Sequence, residues 1–478
     1  MTPVTIFFCY AREDEHLCKE LEKQLKILKH QKLIDMWHDR EIKAGTEWER
    51  EIDRYLDTAQ IILLLISPDF MNSEYCYGTE MKRAMARHEQ GEVEVIPILL
   101  RPVLWQDASF GKLQVLPDEA RCIVSPSWHS LDEAFLAVTK AIREKVIALH
   151  IQQAELLGNE YTSAGQYREA LALYEEALRL APDNADLVNL KGITLCNLEN
   201  YQGALETFDR LIAIAPEARA FNNRGIALVY LERDISAQAA FNKAIMLEPQ
   251  RAETYINKLN LLVRKKYKLY AEIFDTFECA FRLDSNVYLP PSIFFEWAKQ
   301  LLEKPDLAFL EIDTTGLFED DEIVRILLLD RSGKPLFDTF ICGDQEITDE
   351  ISRITGISVA ELETAPTLVE AWEDIRRAFQ GKYIISFNLE FDRGMLETAA
   401  GRYGLEMFRV SGECLMKRAM LYSRSYSYAK LSDLCAYIGE PLPDYPYRMA
   451  LHRAQGQIAV LKAIFQRKRL EDTYEGPP

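Results

Sequence analysis

Apolar and polar positions follow different periods along this chain and predict regions of different architecture. In the N-terminal part, largely apolar runs occur at Val4–Cys9, Ile61–Ile66 and Val93–Leu100, and Ile61–Ile66 contains no polar residue. Such runs are typical of parallel strands covered on both faces. Between the first two runs, leucines recur at the spacing of one helix face, at positions 17, 21, 25 and 28. With shorter strands over 33–37 and 121–124, the pattern predicts a doubly wound parallel sheet.

The segment after the apolar run Ile61–Ile66 places a carboxylate at the edge of this sheet. Ser67-Pro68-Asp69 ends the strand, and Asn72 or Ser73 is suited to cap a helix over 73–88 that carries Glu80 near its start. In open α/β sheets, ligands bind beyond the carboxyl ends of the strands. Glu80 is therefore a candidate catalytic residue, and the alternative is a carboxylate on a solvated helix face.

Four motifs in this region carry a family resemblance: F-F-C-Y-A-R-E-D-E, W-H-D-R-E-I-K-A-G-T-E-W, L-L-I-S-P-D-F-M-N-S-E-Y-C-Y-G-T-E-M and V-I-P-I-L-L-R-P. In this order they resemble a bacterial Toll/interleukin-1 receptor (TIR) domain, a flavodoxin-like α/β fold, over residues 1–148. Many such domains cleave NAD+ at the nicotinamide–ribose bond, and others act only as adaptors.

The resemblance implies roles for four residues. Glu80 matches the family's catalytic glutamate, Tyr10 and Arg12 match the edge of its nucleotide pocket, and Trp48 matches an aromatic that stacks on nicotinamide. For Trp48, a helix-start core position is the alternative. A carboxylate suits the reaction because breaking an N-glycosidic bond builds positive charge on the ribose. The family also implies self-association, with a neighbouring copy completing the pocket.

A repeat occupies residues 150–290. Pro182, Pro216 and Pro249 are separated by 34 and 33 residues, and three glycines keep the same spacing, at Gly158, Gly192 and Gly225. A small residue and an aromatic four positions later precede each proline, at 170/174, 204/208 and 237/241. The period and these positions resemble tetratricopeptide repeats, with a decayed fourth repeat near 252–283. We expect a solenoid that binds a protein partner or acts as a rigid spacer.

A basic cluster lies toward the end of the repeat segment, at Lys258, Arg264, Lys265, Lys266 and Lys268. We interpret it as a solvated face, with a nucleic-acid contact as the alternative.

Residues 305–470 return to strands and place acidic residues at their ends. Strands are predicted from 307, over 323–329 and 336–342, and over 383–387. E-I-D-T-T-G-L (311–317), I-T-D-E-I-S-R-I-T-G-I-S (347–358), N-L-E-F-D (388–392) and H-R-A-Q-G-Q (452–457) follow in order. They resemble the DEDD-type 3′–5′ exonuclease domain, an α/β ribonuclease H-like fold.

The exonuclease resemblance implies two divalent metals and a histidine base. Glu311 and Asp313 reverse the family's usual order but share one strand face, and with Asp392 they are the candidate Mg2+ or Mn2+ ligands. His452 matches the general base. Gln457 stands where the last carboxylate is expected, and an amide oxygen is a neutral, weaker ligand. We therefore expect a domain that holds nucleic-acid ends but cuts them slowly or not at all.

Composition limits the remaining choices. No apolar run reaches the roughly 20 residues needed to span a bilayer, and the N-terminus does not read as a signal peptide. Nine scattered cysteines favour a reducing cytoplasm. A formal net charge of −19 disfavours a broad nucleic-acid-coating surface, although a local basic channel remains compatible.

Three functions are compatible with these features. The first is an NAD+ hydrolase of prokaryotic, anti-phage defence, in which the C-terminal domain senses nucleic acid. The second is a metal-dependent exonuclease for which the TIR domain is an assembly module. The third is a non-enzymatic adaptor.

Overall fold

The computed structural model describes residues 1–37, 48–74, 76–117, 121–265, 269–316, 318, 320–345, 347–423, 430–441 and 449–466, with only the backbone at 48–51, 53, 423 and 437. The chain divides into two compact units, Met1–Glu248 and Pro249–Pro478. All nine cysteines are described and all are free thiols.

The first unit begins with a four-stranded parallel sheet. Its strands are β1 (Val4–Cys9), β2 (Ile34–Trp37), β3 (Ile61–Ile66) and β4 (Glu94–Leu99). The strand order is β2-β1-β3-β4, and Ile6 lies opposite Ile61 in the central pair. This order agrees with the predicted flavodoxin-like fold. The segment predicted as a fifth strand, residues 121–124, instead forms two single hydrogen bonds, from the Ile123 and Val124 amides to the carbonyls of Leu99 and Leu100.

Alternation along β3 explains its unbroken apolar sequence. Ile61, Leu63 and Leu65 belong to the core on one face of the sheet, and Ile62, Leu64 and Ile66 to the core on the other. The helices around this sheet are α1 (Glu15–His30), α2 (Trp48–Thr58), α3 (Pro68–Asn72) and α4 (Met81–Glu89). The four leucines of α1 that predicted it as amphipathic are all buried.

The helix predicted over 73–88 is interrupted. Ser67 accepts a hydrogen bond from the Phe70 amide (3.0 Å) and starts α3 early, with Pro68 in its first turn. A π-helical turn, Cys76–Glu80, then precedes α4. Ser73 accepts a hydrogen bond from the Cys76 amide (3.2 Å), so it does cap the segment that carries Glu80.

One long helix continues from this sheet into the repeats. Helix α5 (Leu131–Ser163) buries Phe135, Val138 and Ile142 in the core of the sheet and Gly158 among the repeats. The predicted boundary at residues 148–150 therefore lies inside a continuous helix. The helices that follow are α6 (Tyr167–Leu180), α7 (Ala185–Asn197), α8 (Tyr201–Ile214), α9 (Ala218–Tyr230) and α10 (Asp234–Leu247).

The recurring glycines and aromatics of the repeats meet one another. A Cβ on Gly158, Gly192 or Gly225 would lie 2.4, 2.4 or 2.5 Å from the ring of Tyr174, Phe208 or Phe241. Each glycine thus allows the aromatic of the next helix to lie against its backbone. This contact explains why the two residue types recur with one period.

Gly192→Ala is expected to lower the free energy of unfolding of the first unit by about 1–3 kcal/mol, because the buried Phe208 ring must move. Gly401→Ala is the control, since no atom lies within 4 Å of its added Cβ. Urea unfolding of the full chain followed by circular dichroism checks both variants. An unchanged first-unit midpoint for Gly192→Ala would contradict the packing argument.

The second unit starts with helices and continues with a mixed sheet. A helical pair, α11 (Ala252–Arg264) and α12 (Tyr270–Leu283), stands where a fourth repeat was predicted, and α13 (Pro291–Leu302) follows. The strands are β5 (Leu307–Thr314), β6 (Ile323–Asp330), β7 (Pro335–Phe340), β8 (Tyr383–Ser386) and β9 (Ser411–Cys414). Their order is β7-β6-β5-β8-β9. β5–β6 and β6–β7 are antiparallel, and β5–β8 and β8–β9 are parallel.

The remaining helices cover this sheet. They are α14 (Asp349–Thr355), α15 (Val359–Glu363), α16 (Leu368–Phe379), α17 (Leu389–Arg402), α18 (Leu415–Ser423), α19 (Leu431–Tyr437) and α20 (Ala450–Phe465). Leu307 and Phe309 of β5 share a core with α20 on one face, whereas Ala308 and Leu310 share a core with α16 and α17 on the other. Glu311 and Asp313 continue the alternation of Leu307 and Phe309 and therefore face α20.

Candidate functional sites

Glu80 lies at the carboxyl edge of the first sheet. It is the last residue of the π-helical turn, and its side chain is only 6% exposed. Short π-helical turns inside helices are frequent at functional sites because they turn one side chain out of the regular spacing. The carboxylate is held where ligands bind in open α/β sheets.

The neighbour of Glu80 is Cys9, the last residue of β1. The Cys9 thiol donates a hydrogen bond to Oε2 of Glu80 (2.8 Å). Burial, the hydrogen bond to Cys76 and the charge of Glu80 all raise the pKa of the Cys9 thiol. Cys9 therefore stays protonated at neutral pH and remains a donor to the carboxylate.

A cavity of about 390 Å3 opens above Glu80. Tyr10 and Arg12 line it, as do Asp69 and Asn72. The structure thus brings three of the four residues predicted for the first site to one cavity. The side chain of the fourth, Trp48, lies outside the described residues.

A network of buried polar groups fixes one wall of this cavity. Asp14 is fully buried and accepts hydrogen bonds from the Ser67 hydroxyl and from Nε of Arg101 (3.0 Å). Arg101 also donates to Asp69, which lines the cavity. The network ties the end of β3 to the segment after β1, so the wall is held in place without substrate.

The second site lies at the end of β5. Glu311 and Asp313 are buried, 8% and 4% exposed, on the strand face that meets α20. Asp392, in the first turn of α17, is also buried and accepts a hydrogen bond from the Ser386 hydroxyl at the end of β8. The three predicted metal ligands therefore converge on one region.

Helix α20 brings an arginine to these carboxylates. Arg453 donates from Nε to Oε2 of Glu311 (2.9 Å) and from Nη2 to Oδ1 of Asp313 (2.5 Å). Gln457, one turn further along, donates from Nε2 to Oε1 of Glu311 (2.5 Å) and to the Leu310 carbonyl (3.0 Å). His452, the predicted base, is half-buried on the same helix.

These contacts shift the ionisation of the site. Burial raises the pKa of Glu311 and Asp313, although Arg453 opposes the rise in both. Burial and then the charge of Glu311 raise the pKa of Asp392 well above its ordinary value. Burial alone lowers the pKa of Arg453, but the two carboxylates outweigh it and raise the pKa. The guanidinium is the positive charge that compensates this acidic pair.

In this arrangement the residues do not fit a two-metal centre. Three of the four oxygens of Glu311 and Asp313 already accept N–H donors. Among the described residues, no group of three or more histidine, cysteine, aspartate or glutamate side chains is placed to hold a metal ion. Divalent cations of this type need several unshared carboxylate oxygens, so their role in this chain stays a prediction.

A basic cavity of about 470 Å3 lies elsewhere on the second unit. It is lined by Arg376 and Arg377 near the end of α16, Lys382 before β8, and Phe408 and Arg409 before β9. Glu373 lines it too and pairs with Arg376 (2.8 Å). The cavity adjoins the starts of β8 and β9, whereas the acidic site adjoins the end of β8.

The predicted basic cluster lies elsewhere in the sequence. Its Lys258 pairs with Glu272 (2.9 Å), and positions 266 and 268 lie outside the described residues.

Sequence reasoning missed Cys9 and Arg453. Cys9 ends the strand that carries Phe7 on the same face, so alternation placed it toward the helix of Glu80. Arg453 lies four residues before Gln457, and that spacing puts both on one face of a helix. The sequence spacing gives the face on which each residue lies, but it does not show that Glu80 and Glu311 are the partners.

Family comparisons identify three kinds of domain in order. Residues 6–118 match the TIR domain family, residues 156–219 match the tetratricopeptide repeat family, and residues 313–454 match the Exonuclease family. The chain therefore contains a TIR domain, a tetratricopeptide solenoid and an exonuclease-type domain, as the motifs predicted.

Individual relatives match separate parts of the chain. Protein y4lF of Sinorhizobium fredii (strain NBRC 101917 / NGR234) is 51% identical over 140 residues, which are 29% of this chain and 43% of that protein. The chain thus spans less than half the length of this relative. An exonuclease of Escherichia phage 186, CP81, is 29% identical over 187 residues, covering 35% of this chain and 91% of the phage protein.

Among solved structures, the MamA protein matches 31% of this chain and 80% of its own, at 15% identity and a TM-score of 0.28. No helix among the described residues is long and apolar enough to cross a membrane.

Proposed function

We propose that this chain is an NAD+ hydrolase in which Glu80 is the catalytic residue. The observation that carries the proposal is the buried Glu80 carboxylate beneath the cavity lined by Tyr10 and Arg12. The cavity is near the lower end of the range for small-molecule sites, about 300–1,000 Å3. That size suits the nicotinamide–ribose half of a dinucleotide.

The reaction follows from the charge of this site. The bond between C1′ of the ribose and the nicotinamide nitrogen breaks, and nicotinamide leaves with the electron pair. The positive charge that develops on the ribose is stabilised by the Glu80 carboxylate in a largely water-excluded place. Water then adds at C1′ and loses a proton, which gives ADP-ribose; attack by an adenine nitrogen instead would give a cyclic product. Arg12, at the rim, is suited to a phosphate of the dinucleotide.

Assembly and triggering complete the proposal. TIR domains of neighbouring copies associate, and the repeats present a surface for a protein partner. The exonuclease-type domain receives nucleic acid, for which the basic cavity around Lys382 and Arg409 supplies the charge. We place this activity in the prokaryotic cytoplasm as an anti-phage response.

The test is nicotinamide release from NAD+ by the purified full chain, followed by chromatography. The reaction is run over a range of protein concentrations, with Mg2+ and with single- and double-stranded DNA or RNA. We expect release per mole of protein to rise with concentration and with one type of nucleic acid. No release under any of these conditions would refute the proposed hydrolase and favour an adaptor.

Reversing the charge of the basic cavity should weaken the response to nucleic acid. The double variant Lys382→Glu/Arg409→Glu is expected to bind the activating nucleic acid at least about 10-fold more weakly, with a shallower salt dependence. Lys462→Glu, an exposed charge on α20, is the control. Fluorescence anisotropy at two salt concentrations measures both. Equal binding by the double variant and the control would exclude this cavity as the contact.

Removing the Cys9 donor should move the pH dependence of NAD+ cleavage. In Cys9→Ala the Glu80 carboxylate loses a hydrogen bond, and a carboxylate with fewer donors holds its proton more tightly. The acid limb of the pH–rate profile should therefore move to higher pH. Cys9→Ser keeps a donor and should restore the wild-type limb. Identical profiles for wild type and Cys9→Ala would show that Cys9 does not position the carboxylate.

A further inference from the structure

The acidic site of the second unit already contains a cation of the protein itself. Arg453 reaches Glu311 with one nitrogen and Asp313 with another, at 2.9 and 2.5 Å. We propose that this guanidinium takes the place of the divalent metals of an exonuclease site, so that the domain binds no catalytic metal pair and does not hydrolyse nucleic acid. The proposal concerns a different site from NAD+ cleavage and does not depend on it.

The strand spacing of the two carboxylates and the helix spacing of their two donors bring these four side chains together. Glu311 and Asp313 are alternate residues of β5 and share its face toward α20. Arg453 and Gln457 are four residues apart and share the face of α20 toward β5. The helix thus brings a cation and an amide donor to two successive carboxylates, and the pairing uses residues 140 and more positions apart.

Charge neutralisation explains why the arginine excludes metal. Two carboxylates as buried as Glu311 and Asp313 require a compensating cation within contact distance. Arg453 supplies it on a packed helix, so it binds without the loss of translational freedom that a free ion incurs. A metal ion would have to displace the guanidinium, whose side chain is itself only 22% exposed, and leave it without a partner for its charge.

Gln457 adds a second protein donor at the place where a metal-binding carboxylate is expected. A carboxylate at this position would add a further acidic group to Glu311, Asp313 and Asp392, against the single positive charge of Arg453. The amide instead donates a proton to Glu311. Oδ2 of Asp313 and Oε1 of Gln457 are buried without a hydrogen-bond partner among the described residues. Both atoms are hydrogen-bond acceptors, a need that the protons of buried water meet.

The experiment is a titration of the full chain with Mn2+. Calorimetry measures binding, and thermal unfolding measures the change of Tm. We expect wild type and Glu311→Gln to show the same Mn2+ titration, without saturable binding at the acidic site. The Tm of wild type should not change with Mn2+ or EDTA. The double variant Arg453→Ala/Gln457→Asp should gain Mn2+ binding, with a Tm increase of more than about 3 °C at saturation.

Saturable Mn2+ binding to wild type that is lost in Glu311→Gln would overturn the proposal, whether or not the double variant folds. So would Mn2+-dependent trimming of a labelled single-stranded oligonucleotide by wild type that is lost in Asp313→Asn. Neither measurement uses NAD+, so failure here leaves the proposed hydrolase untouched, and absence of nicotinamide release leaves this inference untouched.

Discussion

Glu80→Gln is expected to lower the rate of NAD+ cleavage by about 10³-fold, because the substitution removes the charge that stabilises the ribose cation and changes little else. The amide keeps the shape of the carboxylate and still accepts the hydrogen bond from Cys9. The Tm of the variant should therefore stay close to that of wild type, which separates a lost reaction from a lost fold.

Glu74→Gln is the matched control, because Glu74 lies on the same segment but is exposed. Its rate of nicotinamide release should equal that of wild type. If Glu80→Gln and Glu74→Gln release nicotinamide equally fast, the cavity above Glu80 is not the catalytic site.

Arg453→Ala is expected to destabilise the second unit by about 3–5 kcal/mol, because it leaves Glu311 and Asp313 buried without a cation. Lys462→Ala, an exposed lysine of the same helix, should cost less than about 0.5 kcal/mol. Urea unfolding of the full chain at pH 7 measures both, with the second-unit transition followed by tryptophan fluorescence.

A second variant shows that the charge, and not the packing of the arginine, causes the loss. Adding Glu311→Gln and Asp313→Asn to Arg453→Ala removes the unpaired charges and should recover part of the lost free energy. An Arg453→Ala variant as stable as Lys462→Ala would mean that the guanidinium does not neutralise the site.

The sequence predicted best those features that depend on local periodicity. The unbroken apolar run Ile61–Ile66 marked β3, because both faces of the sheet are covered. The spacing of glycine and aromatic residues marked the repeats because the Phe208 ring fills the space that a side chain at Gly192 would take. These patterns need only the neighbours within one strand or one helical pair.

Features that depend on distant partners or on caps were harder to predict. In place of the single predicted helix over 73–88, the π-helical turn Cys76–Glu80 precedes α4, and Ser67 and Pro68 start a separate short helix before it. The short strand β9 contains Gly412 and carries no alternating pattern; a Cβ there would lie 1.8 Å from the Ile384 carbonyl oxygen, so close backbone approach explains the glycine. Arg453 went unrecognised because its partners lie on β5, and only the fold shows that α20 faces this strand.

The predicted sites differ in the same way. For Glu80, the rule that ligands bind beyond the carboxyl ends of parallel strands predicted its place at the sheet edge, and the family resemblance predicted that Tyr10 and Arg12 line the same pocket. For Glu311, Asp313 and Asp392, convergence was also predictable, but their charge balance was not. The motifs predicted that these carboxylates meet, but not that Arg453 contacts two of them and limits what they can bind.

Nicotinamide release by wild type beside Glu80→Gln is the decisive test of whether this chain cleaves NAD+ at Glu80. Both proteins are assayed at the same high concentration with the same panel of nucleic acids. We expect nicotinamide and an ADP-ribose product, linear or cyclic, from wild type and about 10³-fold less from the variant. Release at equal rates from both proteins, or from neither under any condition of the panel, would contradict it.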